Sequence, residues 1–139
     1  MKLLGIILLT TASVIFGTTL SSRLSKRVEM LITLEKAIDE TKDIIRYTAE
    51  ETDGIIHHLK GKYPMLFSGN LRNDDFVIIK ELVDGLGKTD REGQLDFCNG
   101  LKRCVSRNLR EAETEKQAKS KLYTVLGLSF GLAFSIILI

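Results

Sequence analysis

The sequence predicts an all-α protein, an antiparallel helical hairpin or bundle on the cytoplasmic side, flanked by N- and C-terminal transmembrane helices. Three observations carry this expectation. Both ends are apolar: LLGIILLTTASVIFGTTL fills 3–20 and LYTVLGLSFGLAFSIILI fills 122–139. All the Lys and Arg residues except Lys2 lie between Ser21 and Lys121, together with every Asp and Glu, so this middle is polar and close to neutral. Within the middle, apolar residues recur at helical spacing, strand-like alternation is absent, and there is a single Pro and no Trp. The organisation expected is a span at 3–20, a cytoplasmic helical domain at 21–121 and a second span at 122–139.

The last stretch carries no charged side chain and follows the basic run Lys116, Lys119 and Lys121. A helix of about 18 residues rises roughly 27 Å, enough for a thin hydrocarbon core. A single span must be helical, because in lipid the backbone satisfies its own hydrogen bonds. The first stretch, behind Lys2, also has the shape of a secretory signal peptide. A retained span is favoured, since the apolar run continues to Leu20 and a second span lies at the far end. Arg23, Lys26 and Arg27 follow the first stretch and the three lysines precede the last, which places the middle in the cytoplasm. The lysines could also attract anionic lipid headgroups.

From Ser22 to about Lys60 the stripe runs Leu24, Val28, Leu31, Leu34, Ile38, Ile45, Ile55, Leu59, with Thr41 and Thr48 interrupting it. Thr48 and Glu51 have capping-box spacing, which suggests a stop near Tyr47 and a restart near Ala49, with Asp53-Gly54 a second soft point. Gly61 and Pro64 end this part. Lys62 to Asn73 reads as a loop whose Met65, Leu66 and Phe67 tuck against the bundle tip. Asn73 is expected to cap a helix with Asp74 and Asp75 at its N-terminal dipole and Phe76, Ile79, Val83 and Leu86 on its apolar face. Gly85 and Gly87 end it. Thr89 and Glu92 form a second capping-box pattern. The last helix then buries Leu95, Cys98, Leu101, Val105, Leu109 and Ala112 and runs without a breaker into the last apolar stretch.

Several function classes are disfavoured. A near-neutral middle lacks the basic face that nucleic acid requires. Cys98 and Cys104 point to helix faces about 120° apart and read as free thiols on the reducing side. His57 and His58 are adjacent rather than one turn apart, so no metal site is expected. No phosphate loop, catalytic constellation or cofactor motif is present, so the chain is expected not to be an enzyme and to need no cofactor. The turn Thr89, Asp90, Arg91, Glu92, Gly93 and Gln94 stands out, because capping accounts for only two of its residues. The rest suggest a contact surface for a cytoplasmic partner. An interrupted stripe also suggests self-association as a homo-oligomer.

Three stretches resemble the stage III sporulation protein AB family. They are KLLGIILLTTASVIFGTTLSSRLSKRVEML, ELVDGLGKTDREGQ and KSKLYTVLGLSFGLAFSIILI. The segment Ile55 to Asn73 is shorter than is usual in that family, and the proline expected after Tyr47 is absent. The resemblance implies a noncatalytic scaffold of the mother-cell-to-forespore channel of endospore-forming bacteria. It further implies a domain similar to the inner-membrane platform protein of type II secretion and type IV pilus machines. The partners it implies are a cytoplasmic ATPase, stage III sporulation protein AA, and other channel components. A different class stays open: a self-associating membrane-anchored coiled-coil hairpin in signalling or stress response, dimerising through the Leu24 to Leu59 stripe.

Overall fold

The computed structural model describes residues 2–48, 51–69 and 71–138. Among them are four α-helices, α1 Lys2–Tyr47, α2 Thr52–Lys62, α3 Asn73–Gly85 and α4 Arg91–Leu138, a 3-10 turn Pro64–Phe67, and no strand. The all-α expectation holds. So does the unbroken last helix, which runs 48 residues from the corner through the apolar stretch. The chain divides into two compact units, residues 27–111 and residues 1–26 with 112–139.

The unit 27–111 packs part of α1, α2, α3 and the first part of α4 around one core. Leu31, Leu34 and Ile38 of α1, Leu59 of α2, Leu66 of the 3-10 turn, Leu82 of α3, and Cys98 and Val105 of α4 are all fully buried. From Val28 to Leu59 the stripe is therefore closed within one chain. Thr41 keeps its place in the stripe, at 0% exposure, because its hydroxyl donates to the Ala37 carbonyl at 2.7 Å. α1 and α4 run antiparallel. Asp39 pairs with Lys102 and Glu35 with Ser106, so a step of four residues along one helix is matched by a step of four back along the other.

Several local expectations need correction. α1 does stop at Tyr47, but no Thr48–Glu51 box forms. The Thr48 hydroxyl donates back to the Ile44 carbonyl at 2.6 Å, which satisfies the C-terminal turn of α1 instead of starting the next helix. α2 begins at Thr52 with Glu51 at its N-cap and no side-chain cap, so Asp53-Gly54 lies inside its first turn; Ala49 falls outside the described residues. Asn73 does not cap α3. The cap position is Arg72, and Asn73 is the first helical residue. The buried face of α3 is Asp75, Ile78, Ile79 and Leu82, while Phe76 and Val77 are exposed. This face follows the i, i+3, i+4, i+7 pattern more closely than the one anticipated and includes a carboxylate. Of the three loop residues expected to tuck in, Leu66 is buried, Phe67 half-buried and Met65 exposed. α3 ends at Gly85, and Gly87, at φ +79°, makes the turn toward α4 in a conformation that a side chain would strain.

In the unit 1–26 with 112–139, α1 and α4 segments are again antiparallel. The Ser21 and Ser120 hydroxyls are 3.2 Å apart, and Gly17 faces the Tyr123 carbonyl. Among the described residues no helix is long and apolar enough to cross a membrane. The expected spans at 3–20 and 122–139 draw on side chains outside the described set, including Leu3, Leu4, Leu9, Val14, Phe134 and Ile137.

Candidate functional site

The turn from Thr89 to Gln94 is a corner between α3 and α4, and its hydrogen bonds assign its residues distinct roles. Asp90, not Thr89, is the cap: its Oδ1 accepts the Gly93 N–H at 3.0 Å and its carbonyl accepts the Gln94 N–H at 2.9 Å. A carboxylate here also meets the positive end of the helix dipole. The Gln94 side-chain amide donates to the Thr89 carbonyl at 3.0 Å, which closes the turn on itself. The Thr89–Glu92 capping box is thus not formed. Glu92 is exposed, and its side chain makes no hydrogen bond or ion pair among the described residues. Arg91 points back into the fold, where its Nε–H donates to the Ile45 carbonyl at 2.8 Å. That carbonyl lies in the last turn of α1, where helical partners run out.

The corner forms one lip of a shallow groove between α3 and the start of α4. Val77, half exposed, and the half-buried Phe97 make its apolar floor; Lys80, Glu81, Asp84 and Lys88 rim it, and Thr89 and Gly93 belong to its lining. Gly85 lets the Phe97 ring lie against the end of α3, since a Cβ at 85 would come within 2.3 Å of it. The structure therefore joins Thr89 and Gly93 to an apolar surface and turns Arg91 away from it.

Two polar clusters in this unit escaped the sequence reading. The first is centred on Asp75, which is 0% exposed. Its carboxylate accepts from Arg27 Nε at 3.0 Å and Nη2 at 3.4 Å, and from Asn108 Nδ2 at 3.0 Å, joining α1, α3 and α4. The signal was present, since Asp75 stands in register with Ile78, Ile79 and Leu82. The second is centred on Glu40, which accepts from Lys62 Nζ and Tyr63 Oη, each at 2.6 Å, and lies 2.8 Å from His58 Nε2. These contacts pin α2 and the residue after it to α1. Burial pushes the Glu40 carboxyl up, but the bonds from Lys62, Tyr63 and His58 outweigh it and hold the pKa at about 2. The same bond raises Tyr63 and Lys62. His57 and His58 thus differ: both are exposed, but among the described residues only His58 has a carboxylate partner.

Cys98 and Cys104 are free thiols, the first buried and the second half-buried, and burial pushes the Cys98 thiol up. Among the described residues no group of three or more His, Cys, Asp or Glu side chains could hold a metal ion. The groove presents an apolar floor with mixed charges on its rim, and the corner beside it an exposed carboxylate at Glu92.

No curated protein and no solved structure matches the chain. The family model of stage III sporulation protein AB matches it over residues 2–69 and again over 65–139. The two matches overlap at 65–69, between α2 and α3. Together they span nearly the whole sequence, and the chain belongs to the stage III sporulation protein AB family.

Proposed function

We propose that the chain is a noncatalytic membrane scaffold of the mother-cell-to-forespore channel. The unit 27–111 lies in the cytoplasm and offers its corner and groove to an ATPase of the stage III sporulation protein AA kind. The observation that carries this reading is the family match along both halves of the chain, since membership implies a role in sporulation. Membrane attachment draws support from the other unit. Its apolar side chains face outward, with Ile7, Leu8, Leu128 and Ile136 each more than half exposed, a surface that water disfavours and lipid accepts. Its described threonines are also suited to lipid. The hydroxyls of Thr11, Thr18, Thr19 and Thr124 donate to carbonyls of their own helix.

The test has a cellular and a molecular arm. Deletion of the gene in its host is expected to leave engulfed forespores that stall, with few heat-resistant spores. Purified full-length chain in micelles is expected to capture the ATPase, and Glu92→Lys with Val77→Asp to lose capture at unchanged helicity and thermal midpoint. Both positions are exposed, and Glu92 supports no internal bond. A normal spore count together with undiminished capture by the double variant would overturn the reading.

A further inference from the structure

We propose that the outer face of α4 bearing Arg103, Arg107 and Arg110 docks an acidic helix of a protein partner that presents two carboxylates four residues apart. Between Phe97 and Arg110 this helix carries Lys102, Arg103, Arg107 and Arg110 and no acidic residue. The three arginines follow i, i+4, i+7 spacing and share one exposed face, opposite the face that buries Cys98, Leu101, Val105 and Ala112. Arg103 and Arg107 have no ion pair or side-chain hydrogen bond among the described residues. Like charges one turn apart, as at Arg103 and Arg107, repel, and an external anion would offset that repulsion.

The flank of the same face shows which anion fits. Lys102 and Ser106, four residues apart on α4, engage Asp39 and Glu35, four residues apart on the antiparallel α1, at 2.6 and 3.2 Å. One row of α4 is thus already read by a helix with carboxylates at i and i+4. Arg103 and Arg107 repeat the spacing in the next row and face outward. Guanidinium forks grip carboxylates in bidentate fashion, which favours a protein acid over diffuse attraction. Anionic lipid is the weaker match, because Lys116, Lys119 and Lys121, not these arginines, adjoin the apolar stretch in sequence. The site is separate from the corner, roughly 20 Å along α4 from Asp90, and does not depend on the ATPase reading.

The probe is a labelled alanine-based helical peptide with glutamates at i, i+4, titrated by anisotropy into the full-length chain in uncharged micelles. A peptide of equal composition with its glutamates at i, i+2 is the control. The paired peptide is expected to bind more tightly than the control and to weaken as salt rises. Arg103→Gln with Arg107→Gln is expected to weaken it about five- to tenfold, as for two exposed charge pairs. Lys116→Gln, Lys119→Gln and Lys121→Gln together should leave it unchanged. Equal binding of the two peptides, or an unchanged affinity in the arginine variant, would overturn the proposal. So would arginine-dependent binding to phosphatidylglycerol vesicles with none to the peptide, which would make the face a lipid contact. Matching circular dichroism of the variants keeps a folding defect from passing as lost docking.

Discussion

Asp74 and Asp75 have the same chemistry and adjoin in sequence, yet the structure assigns them opposite weights. Asp75→Asn preserves shape but removes the charge from a site that is 0% exposed. The native carboxylate takes two bonds from Arg27 and one from Asn108, all from donors. An amide has one accepting oxygen, so its NH2 must face a donor, and the Arg27 guanidinium, 13% exposed, loses the Asp75 charge. Losing one partner of a buried pair costs about 3–5 kcal/mol, and a retained hydrogen bond returns about 1, so roughly 2–4 kcal/mol should be lost. For a unit of this size each kcal/mol lowers the midpoint by about 4–8 °C. Asp74, 72% exposed and 3.7 Å from Arg72 Nε, should lose no more than about 1 kcal/mol in the same exchange. Thermal unfolding of both full-length variants by circular dichroism decides the matter. Similar midpoints, or a loss below about 1 kcal/mol at Asp75, would refute the buried-network argument. Replacing the whole triad, Arg27→Met, Asp75→Leu and Asn108→Leu, should recover most of the loss, because an all-apolar core carries no stranded charge.

Three further outcomes are expected. Glu40 is depressed in the fold from 4.5 to about 2, so its stabilisation is present above pH 4.5 and is lost as pH falls from there through about 2. Its side chain is 22% exposed, and after solvent screening roughly 1–2 kcal/mol should vanish across that window, a slope that Glu40→Gln flattens in acid titration of the midpoint. Gly85→Ala places a Cβ 2.3 Å from the Phe97 ring and should cost about 1–3 kcal/mol in urea unfolding, with Phe97→Leu relieving it. Asp90→Ala should cost about 0.5–2 kcal/mol by the same measurement and Thr89→Ala only a few tenths, since the cap bond belongs to Asp90.

The features legible in the sequence were those set by pattern over many residues. The stripe from Val28 to Leu59 and the unbroken run of α4 emerged from periodicity, because burial of one helix face repeats at fixed spacing. Points decided by a single hydrogen bond were not legible. Thr48 and Thr89 both had capping-box spacing, yet Thr48 bonds backward to Ile44 and the Thr89 box gives way to Asp90. Spacing permits either partner and only geometry selects one. On α3 the expected Ile79 and Leu86 are buried, but Phe76 is exposed and the neighbouring Asp75 is buried in its place, because a carboxylate occupies a core position only where Arg27 and Asn108 arrive from other helices. Glu40 and its three donors are 18 to 23 residues apart, beyond the reach of local pattern.

At the corner, the same distinction decides how recognition can be separated from architecture. Asp90 and Arg91 are the conspicuous charges of the turn, and changing both to alanine would be the natural test of partner binding. The structure makes that test ambiguous. Asp90 holds the first turn of α4, and Arg91 satisfies the Ile45 carbonyl, so the pair variant should loosen the junction of α1 and α4 whether or not a partner binds there. Glu92 has neither duty, and its position in the first turn of α4 leaves it exposed. Its loss removes at most the dipole interaction of an exposed helix start, about 0.3–1 kcal/mol. A fall in partner capture for Glu92→Lys at an unchanged midpoint would therefore report recognition. A fall for Asp90→Ala and Arg91→Ala alone, accompanied by a lower midpoint, would report that the corner only holds the helices together.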